Sequence, residues 1–524
     1  MEISHILNIL TIITLEGGRK MILHHEFFES AKKYPKKLAI IDRTTDKRLT
    51  YSKTLIASII LSKLLAKYED DYIGIMIPNS AGSFLSIMGL LLSRKVPVMI
   101  NYSTGAQQNC KYAQDKIGFK TIVTSKALLE KIRCPVVPGM VFIEDLLEQV
   151  STPLKLASAI TAKMPLSFLK KSFPGEPDDN IVILFTSGSE KEPKAVQLTH
   201  TNINSNVLDA IEVFKLTEQD RIMAILPLFH VFGHSIDFWL PLVLGATAVS
   251  YANPLEYKTI PKIIREEGAT MIAATPVFFS GYLRESKAGD FNTMRILVAG
   301  ADKCPEKLRK GYMEKHGKVL LEGYGTTETS PVVSANTPEH NKPGSIGPVF
   351  PSVRVKIVDI DTDKELQRGK EGKILVKGPN VMKGYYDDLE ETSVRIKDGW
   401  YDTGDMGVLD EDGYLWHRGR LKRFVKIGGE MVSLVRTETL LQEILPQGVE
   451  CCVVEVHDVR KGAKLIAAVT EEVNTKETIR ELAKTLPSIA IPAQFIPFTD
   501  LPKMGSGKVD FRTITQMVKE ELAK

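Results

Sequence analysis

The sequence predicts an α/β protein built on parallel sheets, with a β-rich region and a separate small mixed unit toward the C-terminal end. Three observations carry this. The chain has 524 residues, more than one hydrophobic core organises, so several folded units are expected. Short apolar runs alternate with longer helical patterns over most of the length, as parallel strands joined by crossover helices do. From about residue 352 the pattern changes to strands joined by close turns.

Taken in order, the apolar run 6–15 is about half the length a spanning helix needs. Glu2 precedes it rather than a basic cluster, so it reads as neither span nor signal. Residues 84–92, bounded by Ser80, Gly82 and Arg94-Lys95, read as a buried helix. Strand-like runs stand before it at 72–77 and after it at 121–124, 181–185, 221–227, 247–251, 271–274 and 295–298. The β-rich region contributes 353–359, 373–377 and 408–416, the last folded about Asp410-Glu411-Asp412-Gly413. From about residue 422 a mixed segment has strands 450–456 and 465–470 and a helix 476–486, long enough for its own small domain.

Composition excludes several classes. Sixty-eight Lys plus Arg against 64 Asp plus Glu leave a net charge of +4, too little at this size for a nucleic-acid binder. The five cysteines are odd in number and two of them, Cys451 and Cys452, are adjacent, which fits a reducing cytosol. No Cys/His cluster has zinc-ligand spacing and the histidines lie mostly alone along the chain, so a structural metal site gets little support.

Five segments carry chemistry. The apolar run 181–185 leads into Thr186-Ser187-Gly188-Ser189-Glu190-Lys191-Glu192-Pro193-Lys194. Such a loop can wrap a polyphosphate: Gly188 admits backbone N–H groups, Thr186, Ser187 and Ser189 donate hydroxyls, and Lys194 supplies charge. An ordinary surface turn uses the same residue types. It is not a Walker A loop, since no Gly-x4-Gly-Lys-Ser/Thr string occurs; at Gly505-Ser506-Gly507-Lys508, position 502 is Pro. The second segment, Glu322-Gly323-Tyr324-Gly325-Thr326-Thr327-Glu328-Thr329, offers a ring to stack on a base, hydroxyls for phosphate and a carboxylate for magnesium; a hairpin turn is the plain alternative. In the third, Trp400-Tyr401-Asp402-Thr403-Gly404-Asp405, the two oxygens of Asp405 could accept both hydroxyls of a ribose. The fourth, Arg418-Gly419-Arg420, offers a cation beside it, and the fifth, 502–508, is a glycine-flanked loop ending in Lys508. A loop carboxylate, a surface arginine and a solvated terminal lysine are the plain readings of these three.

Their joint occurrence in this order resembles the acyl-adenylate-forming superfamily, which includes acyl-CoA synthetases, luciferases and peptide-synthetase adenylation domains, over residues 25–522. Details at Ser187-Gly188-Ser189-Glu190, Lys422-Arg423-Phe424, 429–434 and 505–510 are most similar to the acyl-[acyl-carrier-protein] synthetase half of the bifunctional 2-acylglycerophosphoethanolamine acyltransferase/acyl-carrier-protein synthetases. No His-x4-Asp string stands for the acyltransferase half. The sequence departs from the superfamily at Lys191 and Ala195, which stand where glycines are usual, and at Leu421-Lys422-Arg423, which replaces x-Asp-Asp.

The resemblance implies a large adenylation domain, 1–421, of two parallel-rich αβ subdomains plus a β-rich subdomain at about 345–421. A small mobile α+β domain, 422–524, would turn about a hinge at Lys422. It implies ATP and Mg2+, with Glu328 as metal ligand, Gly300-Ala301-Asp302 at the adenine, and Tyr324, Gly325, Thr326, Thr327, Asp405 and Arg420 around the nucleotide. Lys508 would offset charge as a carboxylate meets the α-phosphate, and Gly428 and Gly429 would line the path of a pantetheine thiol. The string Pro227-Leu228-Phe229-His230-Val231-Phe232-Gly233 resembles the acyl-pocket wall, with His230 near the carboxylate and Phe232 and Gly233 shaping the tunnel; taken alone, His230 reads as a core histidine. The implied reaction is long-chain fatty acid to acyl-AMP and then to acyl carrier protein, with coenzyme A as the alternative acceptor. The different-class alternative, a non-catalytic binding protein of the same fold, would be expected to have lost Glu328, Asp405 or Lys508, and all are present.

Residues 151–174 hold Lys155, Lys163, Lys170 and Lys171 and no acidic residue. With Leu154, Leu156, Ile160, Met164, Leu166, Phe168, Leu169 and Phe173 they could form an interfacial helix, interrupted at Pro165, resting on anionic lipid. A solvated linker is the competing reading. The expected location is cytoplasmic, with this segment as a peripheral contact at the inner membrane face.

Overall fold

The computed structural model describes residues 21–186, 192–427, 430–446, 448–458, 462–503 and 509–523. Two large sheets dominate. One runs, edge to edge, through strands Val332–Ala335, Leu320–Gly325, Ile296–Ala299, Met271–Ala274, Arg221–Ala224, Thr247–Ser250, Leu38–Asp42 and Lys47–Thr50. The other runs Gly384–Tyr385, Ala195–Thr199, Asn180–Phe185, Val96–Met99, Tyr72–Met76, Ile122–Thr124 and Met140–Phe142. Their inner strands are parallel. Strands 247–250, 271–274 and 296–299 are buried along their whole length, which is why they read as continuous apolar runs and not as an alternation.

Antiparallel partners close the edges. Residues 195–199 fold back on 180–185, pairing Phe185 with Ala195. The predicted phosphate loop is therefore the connection of a hairpin inside a parallel sheet, not a strand-to-helix turn. A third, antiparallel sheet is formed by Arg354–Val358, Glu371–Lys377, Trp400–Leu409 and Ile396–Lys397, with Leu415–Arg420 pairing to 400–409. The turn expected at 410–413 joins the last two.

Beyond it, Phe424–Ile427 pairs with Glu430–Ser433, and Cys451–Asp458, Gly462–Val469 and Gln494–Pro497 form a three-stranded sheet. That sheet buries both faces. One packs Val453 and Leu465 with Leu441 and Leu482 of the helices Leu434–Ile444 and Thr475–Leu482. The other packs Cys452 and Ile466 against Ile514 and Val518 of the helix Phe511–Leu522. The segment thus carries its own core.

The 84–92 run lies in the buried helix Ala81–Leu92, whose Ser80 and Ser83 form a reciprocal cap. Residues 151–174 form helices Thr152–Lys163 and Leu166–Ser172, broken at Met164-Pro165 as the proline requires. The expected single apolar face is not what forms. Leu169 is buried in the main core, while Leu156, Ile160 and Phe168 are exposed.

The histidines, scattered in sequence, are not all alone in the fold. His24 Nε2 and His25 Nε2 both approach the Phe173 carbonyl, at 3.0 and 2.7 Å. His200 Nδ1 accepts from Leu23 N–H, and its ring centroid lies 5.2 Å from that of His24. Among the described residues no group of His, Cys, Asp and Glu is arranged to hold a metal ion, and no helix is long and apolar enough to cross a membrane.

Candidate active site

The sheets converge on one cleft of about 2060 Å³, larger than a drug-sized ligand needs and roomy enough for a nucleotide with a second substrate. Its polar wall is made where the first and third sheets meet. Tyr324 ends the strand Leu320–Gly325, and its hydroxyl crosses to donate to Asp405 Oδ2 at 2.5 Å. Asp405 and Arg420 are direct partners across the ladder between Trp400–Leu409 and Leu415–Arg420. This register puts Arg420 Nε 3.1 Å and His417 Nε2 3.6 Å from Asp405 Oδ1. The His417 ring also lies beside Tyr324, at 5.5 Å between centroids. Burial alone would raise the Asp405 carboxyl, but the hydrogen bonds and charges of His417, Arg420 and Tyr324 outweigh it and hold the group below the usual carboxylate range. Both Asp405 oxygens thus have neighbours, Tyr324 at Oδ2 and Arg420 and His417 at Oδ1, so a diol would share them.

Gly325 is required by the turn that follows, since a Cβ there would fall 1.9 Å from the Pro331 carbonyl oxygen. Thr326 caps the short helix Thr327–Thr329, exchanging hydrogen bonds with Thr329. Glu328, nearly buried, accepts the Tyr385 hydroxyl at 2.9 Å. Thr327 and Glu328 both line the cleft. Mg2+ usually keeps its waters and binds through one or two carboxylates plus substrate phosphates. A single carboxylate in this position therefore suits an ion that arrives with a nucleotide.

At the loop neck, Thr186 N–H donates to the Lys194 carbonyl and Lys194 N–H to Thr186 Oγ1, each at 3.0 Å. Lys194 is not a bare point charge: its Nζ pairs with Glu391 Oε1 and sits 4.9 Å from the Tyr385 ring centroid. Ser187, Gly188, Ser189, Gly428, Gly429 and Lys508 lie outside the described residues.

Gly300 and Ala301 follow the strand Ile296–Ala299, Ala301 with φ +67°. A Cβ at Gly300 would sit 3.0 Å from the Phe232 ring. Asp302 turns back to accept the Lys303 N–H, and all three residues line the cleft.

The apolar wall starts at His230, whose ring packs on Phe229 at 4.6 Å and whose N–H donates to the Pro227 carbonyl. Gly233 sits on the carbonyls of Leu226 and Pro227, where a Cβ would be 2.6 Å from each oxygen. It opens a π-helical turn, Gly233–Trp239, a feature found often at functional sites. Within it Asp237 Oδ2 accepts Leu226 N–H at 2.7 Å, while Asn79 donates to the Leu226 carbonyl at 3.0 Å. Leu226 is thereby clamped just before the 227–233 string. Phe232, Ile236, Met271, Val298 and Ala335 continue the cleft as an uncharged arm.

Lys422 lies exposed on the short helix Leu421–Arg423. Arg420 before it pairs with Asp405, whereas Arg423 after it is buried, pairs with Glu438 and stacks on Phe511. The site includes residues that sequence reasoning missed: His417, Tyr385, Glu391 and Arg395. Tyr385 follows a Lys-Gly pair and Glu391 sits in an acidic run; neither carries a chemical signature until the sheets bring them to Lys194 and Glu328.

Comparison with known proteins agrees with this geometry. Residues 27–386 match the AMP-binding enzymes and residues 443–508 match the AMP-binding enzyme C-terminal domain. An indoleacetate–CoA ligase of Aromatoleum aromaticum is 31% identical over 350 residues, 65% of this chain and 68% of that protein. A long-chain-fatty-acid–CoA ligase of Bacillus subtilis is 27% identical over 526 residues, 92% of each. In fold, ATP-bound MatB from Rhodopseudomonas palustris superposes with a TM-score of 0.84 at 24% identity, covering 96% of this chain and 99% of that one. The o-succinylbenzoate CoA synthetase MenE of Bacillus subtilis, in complex with ATP and magnesium ion, gives 0.80 at 23% identity, covering 94% and 99%. With the match spanning most of its length, this chain belongs to the AMP-binding enzymes and has acyl-CoA ligases among its homologues.

Proposed function

We propose that the protein activates a long-chain fatty acid as acyl-AMP and passes the acyl group to a pantetheine thiol. AMP-forming ligation of an acid to a thiol is the coarser activity, and it comes with family membership, as do ATP and Mg2+. One observation carries the finer reading: a single cleft joins the polar constellation of Tyr324, Asp405 and Glu328 to the uncharged arm behind His230. An acyl chain buried there would put its carboxylate at the junction.

In the first half-reaction a carboxylate oxygen attacks the α-phosphorus of ATP, the bond to the bridging oxygen breaks, and pyrophosphate leaves. Carboxylate and triphosphate repel, so the residues must offset charge. Lys508 is assigned to the reacting centre, Lys194 to the outer phosphates, and Asp405 with Tyr324 to the ribose. Glu328 would hold Mg2+, which would supply charge to neutralise the phosphates. In the second half-reaction the thiol sulfur attacks the acyl carbon and AMP leaves. Rotation about Lys422 would withdraw Lys508 and bring Gly428 and Gly429 to the thiol path.

Coenzyme A is the acceptor that the relatives' names favour. Acyl carrier protein is the second reading. It rests on the strings at 187–190, 422–424, 429–434 and 505–510 and on exposed Lys422 and Arg436 at the cleft rim, which suit an acidic carrier. The helices of 151–174 supply a peripheral lipid contact in this reading, with Leu156, Ile160 and Phe168 exposed beside Lys155, Lys163 and Lys171. Incubating the protein with ATP, Mg2+, labelled acids of graded length and each acceptor separately tests it. Acylation of one acceptor by long-chain acids is expected; turnover of aryl or short acids alone would refute the chain-length assignment.

A further inference from the structure

Resting on the reading that ATP's outer phosphates lie beside Lys194 and Glu328, we propose that Arg395 is a second cation for those phosphates and that Glu391 is an internal anion they displace. The helix Leu389–Arg395 is capped by Asp388, whose Oδ1 accepts Glu391 N–H at 3.0 Å. Four residues apart, Glu391 and Arg395 share one helix face, and Arg395 Nε donates to Glu391 Oε1 at 3.0 Å. Lys194 reaches the same oxygen from the neck of the 186–194 loop. Two cations from elements far apart in sequence therefore converge on a single carboxylate oxygen inside the cleft.

The placement argues against a simple surface pair. All three side chains are about three-quarters buried, at 23, 24 and 26% exposure for Lys194, Glu391 and Arg395. Lys194 faces the Tyr385 ring, and the hydroxyl of that ring donates to Glu328. The chain of contacts Arg395, Glu391, Lys194, Tyr385, Glu328 thus ends at the residue assigned to Mg2+. One carboxylate leaves a net positive charge on the triad. Burial works against the Glu391 charge, yet Lys194 and Arg395 hold its carboxyl below the usual range, so it stays ionised at working pH. A pyrophosphate group offers both cations more charge and more acceptor oxygens than Glu391 does, and an arginine binds it through a planar fork.

Adjacent members of a salt bridge should then have opposite effects on nucleotide affinity. Calorimetry on the full chain with ATP, pyrophosphate and AMP as separate probes reads this out. Arg395→Gln is expected to weaken ATP and pyrophosphate about tenfold and to leave AMP within about twofold. Glu391→Gln is expected to tighten ATP and pyrophosphate about threefold, again sparing AMP. Arg395→Lys should recover part of the loss, and thermal melts identify any variant that fails to fold. Equal losses in both variants, or equal losses for AMP and ATP, would mark a merely structural pair and overturn the proposal. If the wild type binds AMP and ATP while Arg395→Gln changes neither, the inference fails and the nucleotide reading stands; if the wild type binds no probe, both fail.

Discussion

The hydroxyl of Tyr324 donates to Asp405 Oδ2 at 2.5 Å, joining the end of a parallel strand in one sheet to an antiparallel strand in another. The bond fixes the carboxylate against the end of the other sheet's strand. Hydrogen bonds to charged groups contribute about 1.5–3 kcal/mol. Tyr324→Phe is therefore expected to raise the KM for ATP about tenfold, and Asp405→Asn by more, because Arg420 loses its counter-charge. Steady-state kinetics at saturating acid check this; an unchanged KM in Asp405→Asn contradicts the ribose assignment.

Gly233→Ala forces a methyl against two carbonyl oxygens. A loss of about 1–3 kcal/mol of stability is expected, together with a higher KM for the acid than for ATP, because the 227–233 wall must shift. Equal effects on both substrates would show that the wall does not shape the acid site.

Burial holds His24 and His234 down at about 3, against partial compensation from the carbonyl of Phe173 and the backbone of Leu228. Both are neutral in the folded chain, and each takes up a proton on unfolding once the pH is below 6.5. Stability is thus fully present above 6.5 and is lost as pH falls toward 3, at about 1.4 kcal/mol per pH unit for each group. Urea unfolding between pH 4 and 6 should show this slope, and His234→Gln should reduce it by one proton's worth. A slope unaffected by that substitution contradicts the account.

Exposed Leu156, Ile160 and Phe168 beside acid-free lysines predict binding to anionic vesicles. Cosedimentation should fall when Lys155, Lys163 and Lys171 become Glu, and should fall with salt. Equal binding by wild type and variant removes the lipid contact.

Much of this was legible in sequence where chemistry is local. The runs 271–274 and 181–185 are strands, ending where glycine, proline and hydroxyl residues take over. Tyr324, Asp405 and Arg420 stand out because each sits in a short glycine-marked string, and the fold brings the three into contact. What could not be read depends on how strands pair. Lys194 and Glu391 lie 197 residues apart and meet through sheet order. His200 lies 176 residues from His24 in sequence, yet the fold sets their rings 5.2 Å apart, and the Phe173 carbonyl that His24 and His25 share carries no side-chain signal. The apolar pattern of 151–174 did not reveal that Leu169 faces inward while Phe168 faces out; a one-residue step on a helix turns the side chain by about 100°.

Lys508 is assigned only to the first half-reaction. Lys508→Ala should slow acyl-AMP formation by about two to three orders of magnitude, as removal of one charge-stabilising group does, while thiolysis of supplied acyl-AMP continues. Equal loss in both steps contradicts a residue that enters for one and leaves for the other.

The most direct test of the whole account is isotope exchange between pyrophosphate and ATP with no thiol present. Exchange that depends on a long-chain fatty acid and on Mg2+, and that disappears in Glu328→Gln, is the predicted result. Its absence with every acid, from protein that binds ATP and is folded, would contradict adenylation as the chemistry of this cleft.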